Sequence, residues 1–292
     1  MKYLILVLFL IATIACKQQG YDLAYATDRD NEMDICITST TNDEIINLTN
    51  SDITEYNFTW SKDGKDIFYT SYEKSGRKVN RINVATKTIT TIIHDSTIQS
   101  FSDVSKDNTK LIISTNEHHQ KSELYLYDLE TQLKIRLTNN ELYEAGAKFS
   151  RDEKTIIASI QTKAGDSINH SGIAEIFEIN ATDLSTKKLT DLKGFNALPE
   201  YAPNGKHIAF HHCASGNCDI RVMNSDGSNI VNLTKGKDDN RWPRWSPDGK
   251  WIAFTKTIDK NSDIYFISKD GKVIKPIIAT EFRDEIAIFR PK

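Results

Sequence analysis

A short motif returns along nearly the whole chain, and it limits the fold more than any other feature. Ser246-Pro247-Asp248-Gly249-Lys250 is matched by Ser61-Lys62-Asp63-Gly64-Lys65 and Ala202-Pro203-Asn204-Gly205-Lys206. Looser copies are Ser105-Lys106-Asp107-Asn108 and Ser150-Arg151-Asp152-Glu153, and Phe289-Arg290-Pro291-Lys292 is a truncated one. The copies begin at 61, 105, 150, 202, 246 and 290, spaced by 44, 45, 52, 44 and 44 residues. An acid-led apolar segment keeps the same step, at Asp34-Ile35, Glu123-Leu124, Glu175-Ile176, Asp219-Ile220 and Asp263-Ile264, with a degenerate copy at Lys78-Val79. A Leu-Thr pair follows in phase at Leu48-Thr49, Leu137-Thr138, Leu189-Thr190 and Leu233-Thr234. A fixed period of this length marks a repeat architecture.

Each unit reads as four short strands. An aromatic-ended strand enters the Asp-Gly turn, whose residues tolerate positive φ. An alternating strand such as 251–255 leaves it, the acid-led strand comes next, and the Leu-Thr strand ends the unit. Four strands in about 44 residues match one blade of a β-propeller. Residues 21–49 hold only the last three strands of a unit, and 285–292 supply one first strand. Joining the two completes a blade and leaves no open edge. The expected fold is therefore all-β: a six-bladed propeller over residues 21–292, four antiparallel strands per blade, closed by its N- and C-terminal strands in one blade.

The unit P-x-W-S-P-D-G-K-x-I-A-F, followed by D-I-Y and L-T, resembles the WD-like β-propeller repeat of the TolB family, and the likeness runs over residues 21–292. The resemblance implies a propeller used as a docking platform. The chain departs from the family's pattern in lacking an N-terminal α/β domain before the propeller, and in looking lipid-anchored where TolB is soluble and periplasmic.

The anchor is read from "MKYLILVLFLIATIACKQQG". Lys2 precedes an apolar stretch, Tyr3 to Ile14, that is too short to span a bilayer. Ala15 directly before Cys16 resembles the lipobox of bacterial lipoproteins, which implies cleavage before Cys16 and lipidation at Cys16. The expected layout is a signal peptide at 1–15, a tether at 16–20 and the propeller at 21–292, held in the periplasm and at the outer membrane. In that oxidising compartment Cys213 and Cys218 are expected to pair, leaving Cys36 as a buried small hydrophobe. With 37 Lys and Arg against 40 Asp and Glu, and no basic run, nothing suggests nucleic acid.

A polar residue stands six positions before each turn: Glu55, Gln99, Glu144, Asn196, Asn240 and Asp284. Such a ring either caps turns or lines the mouth of a central channel. Tyr143, Phe195, Arg241, Trp242 and Arg283 stand beside it, and aromatics with Arg are typical interface anchors. The fourth unit carries eight extra residues, including His170, on the same face. These residues form the expected binding face. Adjacent His211 and His212 point to opposite faces of a strand, which favours a Cys213–Cys218 disulfide over a zinc site.

No Gly-x-Ser-x-Gly elbow, Walker loop or His-Glu-x-x-His is present. The expected function is a non-enzymatic scaffold for another envelope protein or peptide: monomeric, tied to the membrane by its N-terminal lipid, with no cofactor, metal or catalytic residue. The alternative is a metal-dependent carbohydrate-active enzyme resembling oligogalacturonate lyases, whose propellers use this repeat type, with His170 and His211 as ligands.

Overall fold

A computed structural model describes residues 22–165, 172–236 and 238–292, and among these it is strands and turns throughout, with no helix. Three four-stranded sheets come from contiguous chain: Glu55–Trp60, Asp66–Glu73, Gly76–Asn83 and Ile89–His94; Ile98–Val104, Lys110–Thr115, Glu123–Asp128 and Lys134–Arg136; and Asp239–Trp245, Trp251–Ile258, Asn261–Ser268 and Ile274–Ile278. A fourth joins the two ends of the chain. Asp284–Phe289 pairs antiparallel with Asp22–Asp30, which continues through Glu32–Ser39 to Asn42–Asn47. Cys16 and His170 lie outside the described residues.

The expectation of six separate blades is corrected by the remaining strands. The structure has four four-stranded blades, not six, because the strands between Glu144 and Asn232 form one continuous eight-stranded sheet. The fusion occurs where Ala174 pairs in parallel with Phe195. The strand Thr186–Lys188 is only three residues long and covers Phe177–Ile179, leaving Ala174 uncovered. Gly194 takes φ +140°, a conformation L side chains rarely adopt, and its carbonyl accepts from the Ala174 amide at 3.2 Å. The Asn196 amide group donates to the Ala174 carbonyl at 2.8 Å, closing the junction.

The repeated motifs have repeated structural work. In the turns, Ser61, Ser105, Ser150 and Ser246 each donate to the Asp two residues on, at 2.6–2.9 Å. Each Ser oxygen also accepts the amide that opens the next strand, at 2.9–3.1 Å. The Leu-Thr motif is a clasp. Thr49, Thr138, Thr190 and Thr234 accept the amides of Ile35, Leu124, Ile176 and Ile220 at 2.8–3.0 Å, tying outer strand to inner neighbour. Apolar clusters fill the gaps between sheets. One joins Ile35, Leu48, Trp60 and Ile67 to Ile286 and Ile288, so both chain ends share one core.

Candidate functional site

The first strands of the successive units, from 55–60 round to 284–289, stand side by side in a ring that closes on itself. Most carry a β-bulge, and the bulges fall at one register. There, Asn57, Gly146, Leu198, Trp242 and Ile286 have φ between 51° and 64°. This is an uncommon state for Leu and Trp and a strained one for β-branched Ile. All five line one cavity of about 330 Å³ along the ring's axis. The bulges bring these positions to the channel wall, with Ile286 and Trp242 still packed on the apolar core behind it.

Tyr72, Tyr143, Phe58 and Phe101 add aromatic surface to the cavity. Tyr143 is 46% exposed at its mouth. Arg77 stacks over the Tyr72 ring at 4.9 Å and donates to the Gln99 side chain at 2.8 Å, while the Asn57 amide donates to the Tyr72 hydroxyl at 2.8 Å. The described lining includes three cations, Arg77, Lys148 and Arg244, and no carboxylate.

Two residues before four successive turns, neighbouring strands alternate in charge: Asp103, Lys148, Glu200, Arg244. Lys148 lies 3.8 Å from Asp103, which also pairs with Lys62 at 3.1 Å, and Arg244 lies 3.2 Å from Glu200. Burial pulls the Lys148 ammonium down to about 8, with Arg244 and Lys62 adding to the effect and Asp103 opposing it. Burial pushes Asp103 upward, yet Lys62 and Lys148 hold it below the usual carboxylate range; Glu200 is raised by burial despite Arg244. The channel wall is thus a charged network whose cations face the cavity.

The residues singled out from the sequence divide into two groups. Gln99, Tyr143 and Trp242 come together around the channel. Glu55, Glu144, Asn196, Asn240 and Asp284 are buried, with internal partners. Glu55 accepts from Ser51, Glu144 from Thr138 and Asn140, and Asp284 from Thr280. Asn196 donates to Ala174 and Glu175, and Asn240 to Cys218 and Asp238. Burial raises Glu144 and Asp284 and pushes Glu55 up to about 8. Their polar groups are thus engaged inside the fold. Arg241 is held by Asp239 at 2.8 Å, exposed Arg283 reaches Glu285 at 2.9 Å, and half-buried Phe195 sits on the fused strand edge.

Cys213 and Cys218 are disulfide-bonded across the hairpin. His211 shares their face, and its ring nitrogen and the two sulfurs lie within 4.8 Å of one another. Burial, with Arg241 and Arg244 adding, lowers His211 to about 3. His212 faces the other way, 2.9 Å from the Asn196 side chain. Cys36 is buried and unpaired by disulfide.

Sequence reading missed Arg77, Lys148, Arg244, Leu198 and Ile286. A signal existed for two of them: Lys148 and Arg244 stand two positions before their turns, alternating with Asp103 and Glu200.

Comparison with known proteins agrees with this architecture. The family described as TolB beta propeller domain matches residues 32–288. The Tol-Pal system protein TolB of Francisella tularensis subsp. tularensis is 26% identical over 179 residues, covering 59% of this chain and 39% of that protein. The chain thus spans well under half the length of this relative. The crystal structure of TolB from Acinetobacter baumannii superposes with a TM-score of 0.80 at 20% identity, covering 93% of this chain and 67% of that one. An oligogalacturonate lyase in complex with manganese is more distant, with a TM-score of 0.59 at 14% identity, covering 88% and 73%.

Proposed function

Because the chain belongs to the TolB beta propeller domain family, we propose that it is a non-enzymatic scaffold of the cell envelope that holds a partner protein at the mouth of its central channel. The channel itself carries the reading. Strained bulge residues, aromatic rings and three cations converge on one cavity, and strain of this kind gathers where a ligand is gripped. Such a site fits an extended acidic segment of a partner: aromatics supply contact area, and the cations supply steering and register. A relative that bears the name of the Tol-Pal system supports a protein partner and a periplasmic address.

In this reading residues 1–15 are removed as a signal peptide, Cys16 carries the lipid, residues 16–20 form the tether, and the propeller stands at the outer membrane as a monomer. Tyr143, Trp242 and Gln99 contact the partner, with Arg241, Arg283 and Phe195 at the rim, and His170 is a further proposed contact. A lyase-like reading receives less support, since His211 is buried beside a disulfide and likeness at 14% identity speaks to fold alone.

A photo-crosslinking amino acid at position 143 tests the proposal in the host cell, with position 133 on the outer edge as control. A discrete adduct with an envelope protein from position 143 alone supports it. Adducts only from position 133 count against it. Mass spectrometry of the mature N-terminus tests the lipid on Cys16.

A further inference from the structure

The hairpin at 207–224 holds three metal-binding groups that the scaffold reading does not use. His211 and Cys213 are two residues apart on one strand and so share a face, and Cys218 lies directly across from Cys213. His211 is only 4% exposed, and its Nδ1 is buried without a hydrogen-bond partner. An orphaned polar atom in such a place needs a reason. A tetrahedral zinc ion with bonds of about 2.3 Å to sulfur and 2.0–2.1 Å to nitrogen sets its donors roughly 3.5–3.8 Å apart. One ring nitrogen of His211 and the two sulfurs already fall within 4.8 Å of one another. Cys213 is half-buried, so solvent can complete the coordination.

We propose that His211, Cys213 and Cys218 form a thiol-gated site for one zinc-like divalent cation, closed as the disulfide and opened by a dithiol reductant. On opening, the reductant's two thiols give two electrons and two protons to the Cys213–Cys218 bond. The S–S bond breaks, two cysteine thiols form, and the reductant becomes a disulfide. On binding, each thiol releases its proton to solvent and gives a sulfur lone pair to the metal, whose oxidation state is unchanged. The His211 nitrogen is the third donor. Arg241, which reaches the hairpin through the Gly216 carbonyl at 3.4 Å, favours the thiolates over the thiols.

Cobalt(II) provides the test, in the full chain with Cys16→Ser and Cys36→Ala so that only the hairpin supplies thiols. The protein is reduced with tris(2-carboxyethyl)phosphine, freed of it under argon and titrated. The reduced form is expected to take one equivalent, with thiolate-to-cobalt charge-transfer and tetrahedral visible bands, and the oxidised form none. His211→Ala should weaken binding by more than about 100-fold, beyond the loss typical of an outer-shell residue. Zinc titration of the reduced chain should also shift the His211 ring nitrogens in NMR, a readout that stands even if the Ala variant does not fold. No uptake on reduction, equal uptake by the oxidised form, or unmoved His211 nitrogens would overturn the proposal.

Discussion

Lys148 is a charge kept on the channel wall at a cost to stability, and replacing it with Met measures that cost. The residue is 9% exposed, donates to the Ser102 carbonyl at 2.8 Å and lies 3.8 Å from Asp103. Burial lowers its ammonium from 10.5 to about 8. At about 1.4 kcal/mol per pKa unit, that drop costs about 3 kcal/mol of folding stability at neutral pH. Between pH 8 and 10.5 the unfolded chain still holds a proton that the folded chain has released, so this group makes stability rise with pH across that window. Lys148→Met removes the penalty but leaves the Ser102 carbonyl without its donor, worth about 1–2 kcal/mol. The variant should therefore be about 1–2 kcal/mol more stable than wild type at pH 7 and slightly less stable at pH 10. Urea unfolding followed by circular dichroism at both pH values gives the difference directly. A loss of 3 kcal/mol or more at pH 7, unchanged at pH 10, would mean that the ion pairs fully compensate burial. The same variant should hold its partner less tightly despite its added stability, as a trade between stability and binding requires.

Other expected outcomes concern the scaffold. Glu55, raised to about 8 by burial, is protonated in the folded state between pH 4.5 and 8 while the unfolded chain is ionised, so its contribution is present below 4.5 and lost as pH rises to 8. Glu55→Gln should flatten this decline, by about 3.5 kcal/mol between pH 5 and pH 8, in unfolding titrations at the two pH values. Replacing Cys213 and Cys218 with Ser should cost about 2 kcal/mol, the chain-entropy value for so short a loop, and non-reducing peptide mapping should recover the pair from wild type. Gly64→Ala forces a side chain into φ +68° with its Cβ 3.1 Å from Arg290 Nε, and should lower stability by about 1 kcal/mol in thermal unfolding.

The repeat unit was readable because its motifs do the same local work in each copy. Ser61, Ser105, Ser150 and Ser246 make the same turn contacts wherever they occur, and the Leu-Thr clasp likewise. The pairing of chain ends followed from counting strands in the partial units. The fused sheet was not readable. It depends on Gly194 bringing Phe195 beside an edge that the short strand Thr186–Lys188 leaves bare, a tertiary event with no local pattern. The candidate site was legible only in part. Trp242 and Tyr143 stand out in the sequence as aromatics beside a polar ring, of which Glu55, Glu144, Asn196, Asn240 and Asp284 are buried and Gln99 lines the channel. Leu198, Trp242 and Ile286 adopt backbone conformations against their own propensities, so residue type gives no hint of the bulges that aim them. Lys148 and Arg244 gain meaning only beside Asp103 and Glu200 on neighbouring strands.

The central claim is that the channel mouth grips a protein partner through its aromatic and cationic lining. Affinity for the partner crosslinked from position 143 tests it most directly, compared between wild type, Trp242→Ala, Arg77→Ala and the outer-edge control Leu133→Ala. Channel-mouth anchors should each lose at least about tenfold in affinity, with the Arg77 loss shrinking at high salt and Leu133→Ala unchanged. Equal affinity for all four proteins, or a loss confined to Leu133→Ala, would contradict a partner seated on the channel.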